Sequence, residues 1–238
     1  MHFDEPRNKK GQTLSEFLKG YDENKYRRPS VTADIAVFTL LRTNKGFKIG
    51  TLLIKRGDHP FIGEWALPGG FVGIDEDIEA AAARELYEET GLTGLPLRQC
   101  GTFGKPDRDP RTRVITTAFY AIAPCWTLFP RAGDDAADAD IFALDVKLLC
   151  KCASAKTFRV TLSGKQTLAF KAQIRQDFFG PYPSFHERGD LASDHSHVLF
   201  SAIYALLGQP RRRIARLLSQ GKPKLMQKAV NALIRLEF

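Results

Sequence analysis

The sequence predicts an α/β protein followed by a basic, mainly helical C-terminal extension, and three observations lead to this fold class. Residues 33–41 and 47–55 are apolar, rich in branched side chains and separated by a turn sequence, which is typical of a β-hairpin. Residues 78–90 contain no glycine or proline and include four consecutive alanines, which favours a helix. Beyond residue 190, three further segments have helical patterns.

The chain divides into three predicted parts, an N-terminal helical lead (1–28), a central domain (29–149) and a C-terminal extension (150–238). In the lead, Leu14, Phe17 and Leu18 predict a short helix that packs by its apolar side. The hairpin and the helix of residues 78–90 belong to the central domain.

Two further strands are predicted in the central domain after the helix, at residues 97–103 and 114–123, and the second of them is predicted to be buried. Residues 131–140 predict a polar, acidic loop, and residues 141–144 predict a short strand that ends the core.

The extension is predicted to begin with a second hairpin, since residues 158–162 and 167–170 flank the turn sequence Ser163-Gly164-Lys165. Three helices follow, at residues 191–207, 211–219 and 224–236.

The central helix carries three glutamates where a surface helix would not place them. At about 100° per residue, Glu85 and Glu89 fall on the apolar stripe and Glu88 lies at its edge. Carboxylates turned towards the interior are unfavourable unless a cation pairs with them. Arg84 can hold Glu88, and hard carboxylate oxygens suit Mg²⁺ or Mn²⁺ for the other two. The alternative is a helix with a surface network of ion pairs.

The spacing of these residues, together with an upstream glycine turn, resembles the Nudix box of the Nudix hydrolases. The matching positions are Gly70, Glu76, Arg84, Glu85, Leu86, Glu88, Glu89, Gly91 and Leu92. The resemblance covers roughly residues 30–150. It implies an α/β/α sandwich around a mixed β-sheet, and hydrolysis of a nucleoside diphosphate linked to another group, with Mg²⁺ as the cofactor.

The resemblance also assigns roles to residues. Glu85 and Glu89 match the family's principal metal ligands, with Glu88 beside them and a backbone carbonyl at Gly69 or Gly70. Arg84 matches the arginine that orients the glutamates, so Arg84, Glu85, Glu88 and Glu89 are the expected catalytic residues. The general base stays open among five carboxylates, which are Glu88, Asp107, Asp109, Asp138 and Asp140.

Three arginines are candidates for binding the substrate. Arg56 ends the strand before the glycine turn, and Arg108 and Arg111 lie on a charged loop stiffened by two prolines. Arginine suits a pyrophosphate because it can form paired hydrogen bonds. The alternative for each is ordinary surface charge.

Within the superfamily, residues 29–34, 66–71 and 108–111 look like the ADP-ribose pyrophosphatases, and the NrtR-type transcription regulators are similar in the same segments. The resemblance therefore implies either hydrolysis of ADP-ribose to AMP and ribose 5-phosphate, or a ligand-sensing regulator that binds DNA. A house-cleaning pyrophosphatase for nucleoside triphosphates is a third possibility. Homodimers are common in the family, so a homodimer is expected.

Charge is unevenly distributed along the chain. Residues 150–238 contain 15 Lys and Arg against 5 Asp and Glu, whereas the rest of the chain is slightly acidic. This favours an anionic partner such as DNA, with a solvated basic surface as the alternative. The N-terminus is polar, and the sequence contains no apolar run long enough to span a membrane. The cysteine spacing fits neither a zinc site nor a disulfide framework. These features predict a cytoplasmic protein.

The segment Asp194-His195-Ser196-His197 lies at the start of a predicted helix. Two histidines two residues apart do not share a helix face. Helix capping by Asp194 with two ordinary histidines is therefore favoured over a metal site.

Overall fold

The computed structural model describes residues 5–124, 136–185 and 187–236. Ten strands form one sheet within them: β1 Ser30–Thr43, β2 Gly46–Arg56, β3 Trp65–Ala66, β4 Gly69–Phe71, β5 Arg98–Phe103, β6 Val114–Ile122, β7 Ala136–Lys151, β8 Ala155–Ser163, β9 Thr167–Asp177 and β10 Gly180–Ser184. The helices are α1 Leu14–Lys19, α2 Ile78–Thr90, α3 His195–Leu207, α4 Arg211–Ser219 and α5 Pro223–Ile234.

The sheet is mixed, as the resemblance implies. Its strand order is β10-β9-β8-β7-β2-β1-β6-β5, with β3 paired to β2 and β4 paired to β1. Strand β1 runs antiparallel to β2 and β4 but parallel to β6. The predicted hairpin of residues 33–55 is therefore confirmed as β1 and β2, at the centre of the sheet.

Helices cover both faces of this sheet. Successive side chains of β1 point to opposite faces, so each face presents apolar side chains against which helices pack. Ile35 and Val37 pack with Leu86 of α2 in one buried cluster. Ala36 and Phe38 point the other way and belong to a larger cluster with residues of α3, α4 and α5. The α/β/α sandwich is thus confirmed, and the C-terminal helices form its second helical layer.

Helix α2 has the bounds that the sequence predicts. Asp77 begins it by accepting a hydrogen bond from the backbone N–H of Glu79. Gly91 ends it with a φ of 72°, a left-handed conformation that glycine adopts without steric strain.

Two predictions about individual elements are wrong. Helix α1 is present, but it buries none of its residues, and Leu14, Phe17 and Leu18 are exposed. The short strand predicted at residues 141–144 is the middle of the 16-residue strand β7, which pairs with β2 on one side and β8 on the other.

The acidic loop predicted at residues 131–140 lies partly outside the described residues. Residues 136–140 belong to β7 rather than to a loop, while residues 131–135 are not described. The second hairpin is confirmed as β8 and β9. Because β7 continues through residues 149 and 150, the sheet crosses the predicted boundary between the central domain and the extension. The described helices include none that is long and apolar enough to cross a membrane.

Candidate functional site

A cavity of about 360 Å³ opens beside the glycine turn. Its lining comes from strands β1 and β2, the β2–β3 connection, β4, α2, the β5–β6 loop and the residues that lead into α3. The sequence-predicted residues that line it are Arg56, Gly69, Gly70, Glu85, Glu89, Arg108, Asp109 and Arg111. Arg84 and Glu88 are not among the lining residues.

Arg84 lies beside the cavity and fixes three glutamates. Its Nε and Nη2 donate to the carboxylate of Glu76, each at 2.8 Å, and its Nη1 donates to Glu85 at 2.6 Å and Glu88 at 3.0 Å. The hydrogen bond from Arg84 and the backbone N–H of Gly73 lower the pKa of Glu76 to about 2. Arg84 therefore holds the Glu85 carboxylate at the cavity wall, and the half-exposed Glu88 shares the same guanidinium.

The Glu89 carboxylate is buried with little compensation. Its Oε2 accepts a 2.8 Å hydrogen bond from the Gly69 N–H, but burial raises its pKa to about 8, and the nearby carboxylates of Glu85 and Asp34 act in the same direction. Burial also raises the pKa of Glu85. A cation between or beside two such carboxylates would favour their ionised forms.

Glycine is required at both positions of the turn because the chain passes too close to its neighbours for a side chain. A Cβ on Gly70 would lie 2.4 Å from the carboxyl carbon of Glu85. Gly69 has a φ of 152°, and its Cβ would lie 2.2 Å from the carbonyl oxygen of Ala33. The turn therefore brings backbone groups directly against the carboxylates.

This donor set fits Mg²⁺ or Mn²⁺. The described residues contain no group of three or more His, Cys, Asp or Glu side chains arranged to hold a metal ion. Mg²⁺, however, is usually bound by one or two carboxylates, with water and substrate phosphates completing its shell. Glu85 and Glu89, with a carbonyl of the glycine turn, offer that number of hard oxygen ligands.

The predicted substrate-binding arginines lie in different environments. Arg56 donates from Nε to the Pro60 carbonyl at 2.6 Å. Arg111 is half-exposed, pairs with Asp109 at 2.8 Å, and its guanidinium lies 5.4 Å from the ring centroid of Phe71. Both can present the remaining N–H groups to a ligand.

Arg108 differs because it is buried between two carboxylates. Its Nε and Nη2 donate to Asp194 at 3.0 and 2.8 Å, and Nη2 lies 3.4 Å from Asp34. All three residues are less than 10% exposed. The prediction that Asp194 caps a helix is wrong, since its side chain makes no capping hydrogen bond and binds Arg108 instead.

The two histidines of α3 have separate surroundings. His197 stacks on Phe185, with its Nε2 2.9 Å from the Glu187 carbonyl, so it contributes to packing. His195 lines the cavity, and its Nδ1 accepts a 2.9 Å hydrogen bond from the Leu67 N–H. Burial lowers the pKa of His195.

Sequence reasoning missed Asp34, Ser193 and His195 as cavity residues. A signal for Asp34 was present, because it is a lone carboxylate inside an apolar strand and such a group needs a buried partner. Of the candidate general bases, Asp109 lines the cavity, whereas Asp107 and Asp138 pair with lysines elsewhere.

Comparison with known proteins agrees with this fold. The NUDIX domain matches residues 32–155, and the chain belongs to the Nudix family of hydrolases. An ADP-ribose pyrophosphatase of Methanocaldococcus jannaschii is 42% identical over 131 residues, which are 54% of this chain and 72% of that protein. The ADPR responsive transcriptional repressor NtrR of Acinetobacter baylyi is 37% identical over 108 residues, which are 44% of this chain but only 42% of the repressor.

Solved structures extend the similarity to the C-terminal part. A MutT/nudix family protein from Enterococcus faecalis superposes with a TM-score of 0.68 and 26% identity, covering 95% of this chain and 83% of that one. NrtR of Shewanella oneidensis has the same fold with a TM-score of 0.53 and 20% identity, covering 86% and 76% of the two chains.

Because the ion pair of Arg108 and Asp194 is buried, we expect its loss to lower the free energy of unfolding strongly. Asp194→Ala should lower the free energy of unfolding by about 3–5 kcal/mol, because it leaves a buried guanidinium with one distant partner. Asp145→Ala, which removes the exposed 3.2 Å pair with Lys48, should change it by less than about 1 kcal/mol. Urea unfolding measures both, and equal losses would contradict the structural role of the buried pair.

Proposed function

We propose that this chain is a Mg²⁺-dependent pyrophosphatase that cleaves ADP-ribose to AMP and ribose 5-phosphate. The observation that carries the proposal is one cavity lined both by the carboxylates of Glu85 and Glu89 and by the cationic side chains of Arg56 and Arg111. Such a cavity suits a metal-bound diphosphate, since it provides ligands for the cation and donors for the phosphate oxygens. Similarity to the M. jannaschii ADP-ribose pyrophosphatase supports the choice of substrate.

Each residue has a separate task in this proposal. Glu85, Glu89 and a carbonyl of Gly69 or Gly70 hold the cation, with Glu88 beside them on Arg84. A divalent cation supplies neutralisation of phosphate charge and activation of water. Arg84 and the Gly69 N–H fix the directions of the Glu85 and Glu89 carboxylates.

The arginines position the diphosphate. Arg111 donates from Nε and Nη2 to the Asp109 carboxylate, which fixes the plane of the guanidinium at the cavity. Arg56, the last residue of β2, lines the same cavity. Arg108 lines the same cavity, but two of its nitrogens are already bound to carboxylates, so it contributes less to substrate binding in this proposal.

A first test combines substrate and metal ligand. Release of AMP from ADP-ribose with Mg²⁺ should exceed cleavage of dinucleotides and nucleoside triphosphates in the same panel. Glu89→Gln should lower kcat by about a thousandfold or more, because a metal ligand is lost while the shape of the side chain is kept. Glu79→Gln, on the exposed side of the same helix, is the matched control and should keep normal turnover. Normal turnover in Glu89→Gln would disprove the assignment.

Arg111 tests the binding of the diphosphate. Arg111→Ala should raise KM for ADP-ribose by about tenfold with a smaller change in kcat, because it removes a contact made in the ground state as well as in the transition state. The exposed Arg98, which does not line the cavity, provides the control Arg98→Ala. An unchanged KM would show that Arg111 is an ordinary surface charge and does not bind the substrate.

A second candidate function, binding of DNA, rests on the distribution of charge in the last helices. Residues 196–236 contain eight Lys and Arg and no Asp or Glu, and all eight basic residues are exposed. Six of them lie on α4 and α5. A basic surface without acidic residues suits a phosphate backbone. The homodimer and the cytoplasmic location stay predictions.

Salt dependence tests this second function. Binding to a random-sequence DNA duplex should weaken steeply as salt rises, with a slope that reports the number of phosphate contacts. Arg212→Ala on α4 should reduce the magnitude of that slope by about one, whereas Lys147→Ala on β7 should leave it unchanged. No measurable binding at low salt would exclude the function.

A further inference from the structure

The residues that lead into α3 contribute a wall of the cavity although they lie outside the part of the chain that matches the NUDIX domain. The match ends at residue 155, whereas Ala192, Ser193 and His195 line the same cavity as Glu85 and Glu89. We call residues 191–195 the α3 entry segment.

Backbone and side-chain bonds hold the α3 entry segment against the central domain. Leu191 forms a parallel bridge with Trp65, and the Ala192 N–H donates to the Trp65 carbonyl at 2.8 Å. The Ser193 hydroxyl donates to the carbonyl of Arg108, and Asp194 binds the Arg108 side chain. The two residues before His195, Ser193 and Asp194, are therefore both bonded to Arg108, and these bonds set the position of His195.

A hydrogen bond fixes the protonation of the His195 ring. Its Nδ1 accepts from the Leu67 N–H, so Nδ1 carries no proton and the proton of the neutral ring is on Nε2. Nε2 lies 4.0 Å from the nearest carboxylate oxygen, on Asp34, which is too far for a hydrogen bond. Within the described residues, Nε2–H makes no hydrogen bond, although the side chain is only 12% exposed.

The location of this free donor indicates its ligand. Leu67 precedes the glycine turn by two residues, and Asp34 pairs with Gly69 across β1 and β4, so the His195 ring lies next to the carboxylate side of the cavity. A cation would need the lone pair of Nε2, which would move the proton to Nδ1 and set it against the Leu67 N–H. An anionic oxygen requires no such change.

We propose that His195 is a substrate-binding residue whose Nε2–H donates to a phosphate oxygen of the nucleoside diphosphate, an inference that rests on the proposed function. The C-terminal part of the chain then completes the active site, and the central domain alone has an incomplete one. The His195 donor adds to Arg56 and Arg111 a neutral donor that binds phosphate without competing with the cation for the carboxylates.

Two substitutions separate the proposed contact from packing. In His195→Asn, the amide oxygen can replace Nδ1 as acceptor for the Leu67 N–H, but the donor at the Nε2 position is lost. In His195→Gln, the longer side chain carries an N–H₂ group to that position. His197→Asn, two residues further along the same helix, is the matched control.

The assay is hydrolysis of ADP-ribose with Mg²⁺. We expect His195→Asn to raise KM by about tenfold or more, the loss typical of a hydrogen bond to a charged group, while His195→Gln and His197→Asn stay within about threefold of the wild-type value. A role in packing alone would affect the Asn and Gln variants alike. Equal KM values in wild type and His195→Asn, with the wild type active, would overturn the inference and leave the proposed function intact.

Calorimetric titration with ADP-ribose in the absence of metal separates the two proposals. A wild-type protein that binds ADP-ribose without cleaving it would refute the hydrolase, and the inference would then be decided by whether His195→Asn, but not His195→Gln, weakens binding. A wild-type protein that neither cleaves ADP-ribose nor binds it or inorganic pyrophosphate would refute both. Thermal unfolding midpoints close to that of the wild type confirm that each variant is folded.

Discussion

The buried ion cluster of Arg108 with Asp34 and Asp194 is the interaction on which the arrangement of the site depends. It joins the central strand β1, the β5–β6 loop and the start of α3 through the side chains of three buried residues. A buried guanidinium between two carboxylates is unfavourable if any member is missing, so the cluster defines one relative position of these three parts. Asp34 and Arg108 themselves line the cavity, so the cluster helps to set the positions of the residues around it.

The metal-binding half of the cavity is organised by a different constraint, the close approach of backbone to carboxylate. Gly69 and Gly70 allow the turn to approach Glu85 and Glu89 closely. Arg84 holds the Glu85 carboxylate, and the Gly69 N–H holds that of Glu89. Burial and the nearby carboxylates of Glu85 and Asp34 raise the pKa of Glu89, which makes ionisation of both glutamates unfavourable without a cation. The site is therefore suited to bind a cation together with an anionic ligand.

The elements that the sequence predicted well are those set by local spacing. Helix α2, its carboxylate positions and the β1–β2 hairpin depend on periodicity and on turn residues, which a single sequence displays. The pairs that complete the site are separated by 74, 86 and 128 residues, for Asp34–Arg108, Arg108–Asp194 and Leu67–His195. No local pattern encodes such contacts. The capping signal of Asp194 was misleading for the same reason, since a distant arginine competed for its carboxylate.

Strand β7 limits how the cavity and the basic helices α4 and α5 can move relative to each other. It pairs with β2 near the cavity and with β8 beyond it, so both halves of the protein belong to one hydrogen-bonded sheet. A rotation of two halves about a hinge would have to break the strand pairing of β7. A signal from a bound ligand to α4 and α5 would instead involve small shifts of packed elements, such as α3, whose first turn lines the cavity and whose buried side chains share one apolar cluster with those of α4 and α5.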